Sequence, residues 1–299
     1  MSHRSPGAAG FTLVELVVAI VLAAIVAGFM VLFLDGPVQA YFAQTRRADL
    51  ADSATRIAAA VAGDVRTALP NSLRLTAAGS RKALELLATE GVARYYGQGD
   101  KDGALGEELT VGIGHPVTTF GTLELFSSAA LPSAPYLSVG NLGNPVQPTY
   151  DAYIRGNGVM TTTAVTLGSN PSASPPPPFV GGENLVTLGA PMTFQAAGAP
   201  AIQPSVHNAY LVSGPVSYVC DSRAGTFTRY SGYAVTSGQS LRPGGASALI
   251  AHDVSQCTFS IVAAPPGYAY GELAILTVTL SSAGEALQVF LEAPTEYSQ

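Results

Sequence analysis

The sequence predicts an α+β chain: one long N-terminal helix, apolar in its first half and amphipathic in its second, packed on an antiparallel β-sheet head. Three observations carry that expectation. Residues Leu16 to Leu34 contain no charged side chain. Leu50, Ala54, Ile57, Val61, Val65 and Ala68 then recur at helical spacing as one apolar stripe. In the C-terminal third, apolar and polar residues alternate in short runs bounded by turn residues, the strand period.

Composition supports the β-rich head. Only 11% of the 299 residues are charged, against 32 glycines and 21 prolines, a balance of few charges and many turns that suits an extracytoplasmic domain. The net charge of −6 and the lack of any Lys or Arg run argue against a nucleic-acid partner. Less the helix, about 230 residues remain, enough for one sizeable core.

The first element is a polar leader, Met1 to Gly10. Arg4 is its only full charge besides the amino terminus, with His3 as a partial one. The apolar stretch that follows has the length of a membrane span, about 20 residues. Positive charge at Arg4, and none over the next forty residues, places the leader in the cytoplasm and the bulk of the chain outside. Glu15 lies a few residues into this span. An acidic residue near mid-span costs about 2.5–3.5 kcal/mol, so a partner is expected. A secretory signal peptide would put its apolar region before the cut. Here Ala8-Ala9-Gly10 precede the apolar stretch, which stays in the chain.

Gly10-Phe11-Thr12-Leu13-Val14-Glu15 resembles the class III (prepilin) processing signal of type IV pilins and pseudopilins. The resemblance implies a pilin-like fold and a membrane peptidase that cuts the Gly10–Phe11 bond and methylates Phe11. Glu15 becomes the acidic residue at mature position five. In a filament of packed helices, the Phe11 amine of one subunit neutralises the Glu15 carboxylate of a neighbour. The implied partners are the prepilin peptidase, other pilin or pseudopilin subunits and the inner-membrane assembly platform. The implied organisation is a leader (1–10), a transmembrane helix (11–34), a periplasmic amphipathic helix (35–70) and a head (71–299). The molecule would sit in a bacterial inner membrane with its head in the periplasm, or at a pilus tip.

Asp35-Gly36-Pro37 signals a break or kink in the helix. Beyond it, Asp49, Ser53, Arg56 and Asp64 fall on a face separate from the apolar stripe, and Asp52 stands four residues before Arg56 for a helix pair. Pro70-Asn71 ends the rod, roughly 90 Å long at 1.5 Å per residue.

In the head, Leu84–Leu87 and Leu123–Phe126 read as strands, and Asn141–Pro145 as a loop. Residues 161–205 read as a low-complexity insertion, with Ser172-Ala173-Ser174 and Pro175 to Pro178 as an exposed polyproline stretch. Val216–Cys220 and Thr226–Tyr230 form a hairpin, Cys257–Val262 a strand, and Leu273–Leu280 with Leu287–Leu291 a second hairpin. Cys220 and Cys257 are the chain's two cysteines, and outside the cytoplasm they are expected to form a disulfide.

Further residues narrow the resemblance. Arg66 to Arg74, Val219-Cys220-Asp221, Cys257-Thr258-Phe259 and the late Leu-Thr-Leu-Ser…Gly-Glu hairpin are similar to the minor, pilin-like MSHA-pilus biogenesis proteins of the MshO type. Residues 75 to 205 do not take part in that similarity. Type II secretion minor pseudopilins share the same N-terminus. A tip adhesin that recognises a surface glycan, with 161–205 as its binding region, is the reading from another class.

No catalytic, cofactor or metal site is expected. His3, His115, His207 and His252 are scattered, and adjacency alone does not orient Asp253 against His252. Gly112-Ile113-Gly114 and Gly244-Gly245 lack the Lys-Ser/Thr context of a phosphate loop. Asp100, Asp102, Glu107 and Glu108, set among glycines, read as a solvated loop without EF-hand spacing. Tyr95-Tyr96 reads as core or edge packing.

Overall fold

A computed structural model of the chain describes residues 12–97, 108–111, 114–126, 135–143, 150–154, 156–169, 184–194, 207–263 and 270–296. It divides into two compact units, Met1–Leu50 and Ala51–Gln299. The architecture is one N-terminal apolar helix and a mostly antiparallel β domain.

Helix α1 runs from Leu13 to Arg66, 54 residues, with Pro37 inside it. Of the break or kink expected at Asp35-Gly36-Pro37, the break does not occur, since the helix is continuous through these residues. A proline removes one donor and crowds the carbonyl four residues back. That local loss does not end a helix whose turns on both sides keep their bonds. The helix stops at Arg66 rather than Pro70 because the next backbone groups are claimed by a strand. Leu69 N–H donates to Leu87 O (2.8 Å) and Thr89 N–H to Thr67 O (3.1 Å).

Strands β1 (Arg74–Ala78), β2 (Arg81–Arg94), β3 (Val117–Gly121), β4 (Tyr136–Val139), β5 (Val165–Ser169) and β6 (Asn184–Met192) fill the first part of the second unit. They are followed by β7 (Asn208–Asp221), β8 (Thr226–Ser231), β9 (Ala246–Ala251), β10 (Val254–Ala263), β11 (Tyr270–Ser282) and β12 (Glu285–Glu296). Instead of one sheet there are three among the described residues. A six-stranded sheet has the order β1-β2-β7-β8-β9, with β4 also paired to β7; the others are β10-β11-β12 and β3-β6-β5.

The last turns of α1 are tied to the six-stranded sheet by both apolar and polar groups. Ile57, Val61 and Val65 are fully buried, and so is most of Ser53. Ser53, Arg56 and Asp64, on the face separate from the stripe, are engaged as well. Arg56 Nη2 donates to Ser53 Oγ (2.9 Å) and its Nε to Ile250 O in β9 (3.2 Å). Arg56 also pairs with Asp52. Asp64 Oδ2 lies 2.6 Å from both the Tyr218 hydroxyl of β7 and Arg229 Nε of β8. The stripe buries area; the carboxylate sets which turn of helix meets which strand.

The two expected hairpins are β7–β8 and β11–β12. The second turns on Ala283 and Gly284, both at positive φ. Leu276, Val278 and Leu280 share a buried face, and their register partners Leu291, Val289 and Leu287 are half-buried. Leu84–Leu87 lies within β2.

Two expectations fail in the middle of the chain. Leu123–Phe126 is not a strand. There Leu123 N–H bonds Arg94 O (2.7 Å), the Thr122 hydroxyl bonds Glu124 O (2.6 Å) and Phe126 N–H bonds Asn184 Oδ1 (3.0 Å), so no regular ladder forms. The segment expected as a low-complexity insertion supplies β5 and β6, and its Val165, Val186, Leu188 and Phe194 join Tyr95, Phe120 and Leu211 in a buried cluster. Charge-poor sequence at β5 and β6 serves a buried core. The polyproline stretch and Asn144-Pro145 lie outside the described residues.

Candidate functional site

The residues with the sharpest functional signal are at the N-terminus. Gly10 and Phe11 lie outside the described residues; Glu15 lies within them. Thr12 immediately precedes the helix, and its Oγ1 accepts a hydrogen bond from the Glu15 N–H (3.3 Å). Thr12 thus caps the helix, and Glu15 occupies the third helical position of a Thr-x-x-Glu capping spacing. A carboxylate in the first turn also meets the positive end of the helix dipole. Sequence reasoning assigned Glu15 only an intermolecular partner; the Thr12-x-x-Glu15 spacing carried this local role too.

Around Glu15 the helix surface is apolar on every side. Leu13–Met30 has a mean hydropathy of 2.7 and no buried residue. Leu13 and Phe33 are each 79% exposed. A helix apolar all round needs lipid or other protein about it. The helix is thus of the kind that anchors a chain in a membrane, with Glu15 as the acid in its first turn.

In the second unit, Cys220 Sγ and Cys257 Sγ are bonded, linking β7 to β10. Lys82 Nζ donates to Cys257 O (2.8 Å) beside the bridge. His252 Nδ1 and Asp253 Oδ2 are 2.7 Å apart, so here adjacency does bring ring and carboxylate together, in a turn where Asp253 has φ 62°. The pair is exposed at 67% and 40%, on the surface rather than in a cleft. Tyr95 and Tyr96 are buried. Of the acidic loop, Asp100, Asp102 and Glu107 lie outside the described residues, as do Gly112 and Ile113. Among the described residues, no group of three His, Cys, Asp or Glu side chains could hold a metal ion.

Among the buried acids that the sequence did not reveal, Glu272 has a strongly raised carboxyl. Glu272, at the start of β11, is 8% exposed, and its Oε2 accepts a hydrogen bond from Leu73 N–H (3.0 Å). Burial, opposed by that donor, pushes its carboxyl from 4.5 up to about 7. The folded value lies above the unfolded one, so the stabilising contribution is complete below pH 4.5 and lost as pH rises through 7. At 1.36 kcal/mol per tenfold step, the effect is about 3 kcal/mol. Glu272→Gln is expected to be more stable than the parent by about that amount at pH 8 and equal to it near pH 4. Urea midpoints of the full chain in detergent at both pH values measure this. A constant difference between the two proteins would rule out Glu272 as the source.

Residues 6–31 match the family described as "Prokaryotic N-terminal methylation motif", the class III signal of type IV pilins. No curated protein and no solved structure matches the chain. The motif fits a type IV pilin or pseudopilin-type precursor, and implies processing by prepilin peptidase and incorporation with other pilins. It suggests a structural subunit rather than an enzyme.

Proposed function

We propose that the chain is a minor pilin or pseudopilin that takes part in the initiation or tip complex of a type IV pilus of the MSHA kind. Prepilin peptidase cuts after Gly10 and methylates Phe11. The first half of α1 holds the molecule in the inner membrane with the head in the periplasm, and the assembly platform then draws it into the filament. The observation that carries this reading is the methylation motif at residues 6–31, set on a helix apolar on all sides.

In the assembled state, the amine of Phe11 meets Glu15 of a neighbouring subunit, because both charges lose water when helices pack. Removing one partner of such a pair leaves the other buried and costs roughly 3–5 kcal/mol. Glu15→Val is therefore expected to insert and be cut normally, while its recovery in the filament fraction falls at least tenfold. Intact mass of the membrane-extracted chain gives the start residue and the methyl group; immunoblots of sheared filaments give incorporation. A chain that keeps its first ten residues and never enters the filament fraction refutes the proposal. Normal incorporation of Glu15→Val removes Glu15 from the mechanism but leaves processing intact.

A further inference from the structure

The three-stranded sheet has two edges, and they are treated differently. The β10 edge is tied down by the Cys220–Cys257 bond to β7 and by Lys82 Nζ on Cys257 O. Among the described residues, no strand pairs with the outer edge of β12. That edge is long: Glu285 to Ala293 pairs continuously with β11 on its inner side, and at about 3.4 Å per residue it runs some 30 Å.

Its chemistry is that of a strand awaiting a partner. Ala286 to Leu291 is a six-residue run of Ala, Leu, Gln, Val, Phe and Leu, with no charge, proline or glycine. Such windows add strands readily. Phe290 is 65% exposed on the outer face. On the inner face, Leu287, Val289 and Leu291 are half-buried beside the fully buried Leu280, Val278 and Leu276, so the apolar layer runs past the edge of the sheet. Edges normally end in charge or proline where pairing is unwanted. Here those residues, Glu292, Pro294 and Glu296, begin only beyond the window. Pro294 also fixes the geometry. A strand proline turns its donorless nitrogen to the open side, and the two-residue repeat puts the backbone groups of Gln288 and Phe290 on that same side.

We propose that the edge of β12 between Ala286 and Leu291 takes an extended strand from a different subunit of the same filament, alternating apolar residues inward and flanked by neutral or basic ones. This rests on the filament-subunit reading. A strand contact of this length buries on the order of several hundred Å², short of the roughly 1,200 Å² of free-standing specific complexes. It suffices for a neighbour already held alongside by its own membrane helix, where the effective concentration is high. A second copy of this chain fits less well. Two copies meeting through this same edge would need a two-fold axis between them, whereas identical subunits along a filament repeat head to tail and do not present the same edge to each other.

The test uses the full chain in the cells that make it, with p-benzoylphenylalanine in place of Phe290. Irradiation is expected to give one cross-linked product whose partner, identified by mass spectrometry, is a different chain bearing the same N-terminal methylation motif. Gln288→Pro, which deletes an outward donor, should lower the yield at least tenfold, and Gln288→Thr should not. Retention of the Cys220–Cys257 bond on a non-reducing gel reports folding. If Gln288→Pro loses that bond, Gln288→Arg carries the test: it alters no backbone group, and its charge should lower the yield several-fold. A cross-link only to a second copy, no cross-link, or a yield indifferent to these changes overturns strand addition. The filament fraction is followed in the same cells. Normal incorporation without the cross-link sinks this inference alone, whereas absence from the filament sinks the subunit reading.

Discussion

Replacing Cys220 and Cys257 together by serine is expected to lower the stability of the folded chain by about 4 kcal/mol. The bridge closes a segment whose ends lie 37 residues apart. On the chain-entropy model, a loop of that size restrains the unfolded ensemble by about 4 kcal/mol at 25 °C. The position makes the native contribution large as well. Cys220 is fully buried in the six-stranded sheet and Cys257 nearly so in β10, so the bond joins two sheets that do not share a hydrogen-bond ladder. Around it the packing is aromatic: the Phe227 ring lies 5.8 Å from Tyr218 and 6.2 Å from Phe259, centre to centre. Those rings remain in the variant, which is why the fold is expected to survive with a lower urea midpoint rather than vanish. The measurement is urea unfolding of the full chain in detergent, with and without reductant. Parent protein under reductant should match the double variant. A loss below about 1 kcal/mol would show that ring packing, not the bridge, holds β10 against β7. The proposed cut after Gly10 should be unchanged in either case, since the leader is far from this region in sequence.

Local pattern showed in the sequence wherever a segment's fate depended on its own residues. The α1 stripe reads directly because Ile57, Val61 and Val65 share a face by spacing alone, and all three are buried. The β11–β12 hairpin reads because strict alternation flanks a short turn around Gly284. What failed depended on distant partners. Leu123-Glu124-Leu125-Phe126 alternates like a strand, yet its backbone is taken by Arg94, Thr122 and Asn184. The run around β5 and β6 looked like an insertion because it lacks charge, but low charge serves a buried cluster equally well. Glu272 was invisible for the same reason. Nothing near it in sequence says that Leu73, almost two hundred residues away, donates to it. At the N-terminus, the methylation motif was legible residue by residue because a peptidase reads it in linear sequence. The same six residues also held a capping spacing, which became apparent only once Thr12 was seen against the Glu15 N–H.

The other large effect is expected at Arg74, whose side chain organises a buried polar cluster on the six-stranded sheet. Arg74 Nε donates to Glu85 Oε1 (2.9 Å) and Nη2 pairs with the same carboxylate. The guanidinium also reaches Thr236 O (2.9 Å) and Ser237 O (2.8 Å), and stacks 3.5 Å over the Tyr153 ring. Glu85 is 1% exposed and takes a further bond from the Ser217 hydroxyl (3.0 Å), which itself lies 2.6 Å from the Tyr233 hydroxyl. Burial, with the Glu85 charge second, holds the Tyr153 phenol well above its ordinary value, so it stays a neutral donor to Ser72 O (3.0 Å). One cation therefore joins β1, β2, the 236–237 segment and Tyr153. Arg74→Met keeps length and apolar bulk but strands Glu85, and breaking a buried pair this way costs about 3–5 kcal/mol. Arg74→Met with Glu85→Leu removes both charges. It should recover most of that loss and leave a deficit of about 1–2 kcal/mol for the Ser217 and Tyr233 hydroxyls that lose an acceptor. The recovery decides the cause: a stranded charge is cured by the second change, whereas a lost connector between segments is not. Urea midpoints of the two variants against the parent distinguish the two, and a single variant within 1 kcal/mol of the parent would mean that water reaches Glu85 and the pair is not a buried one.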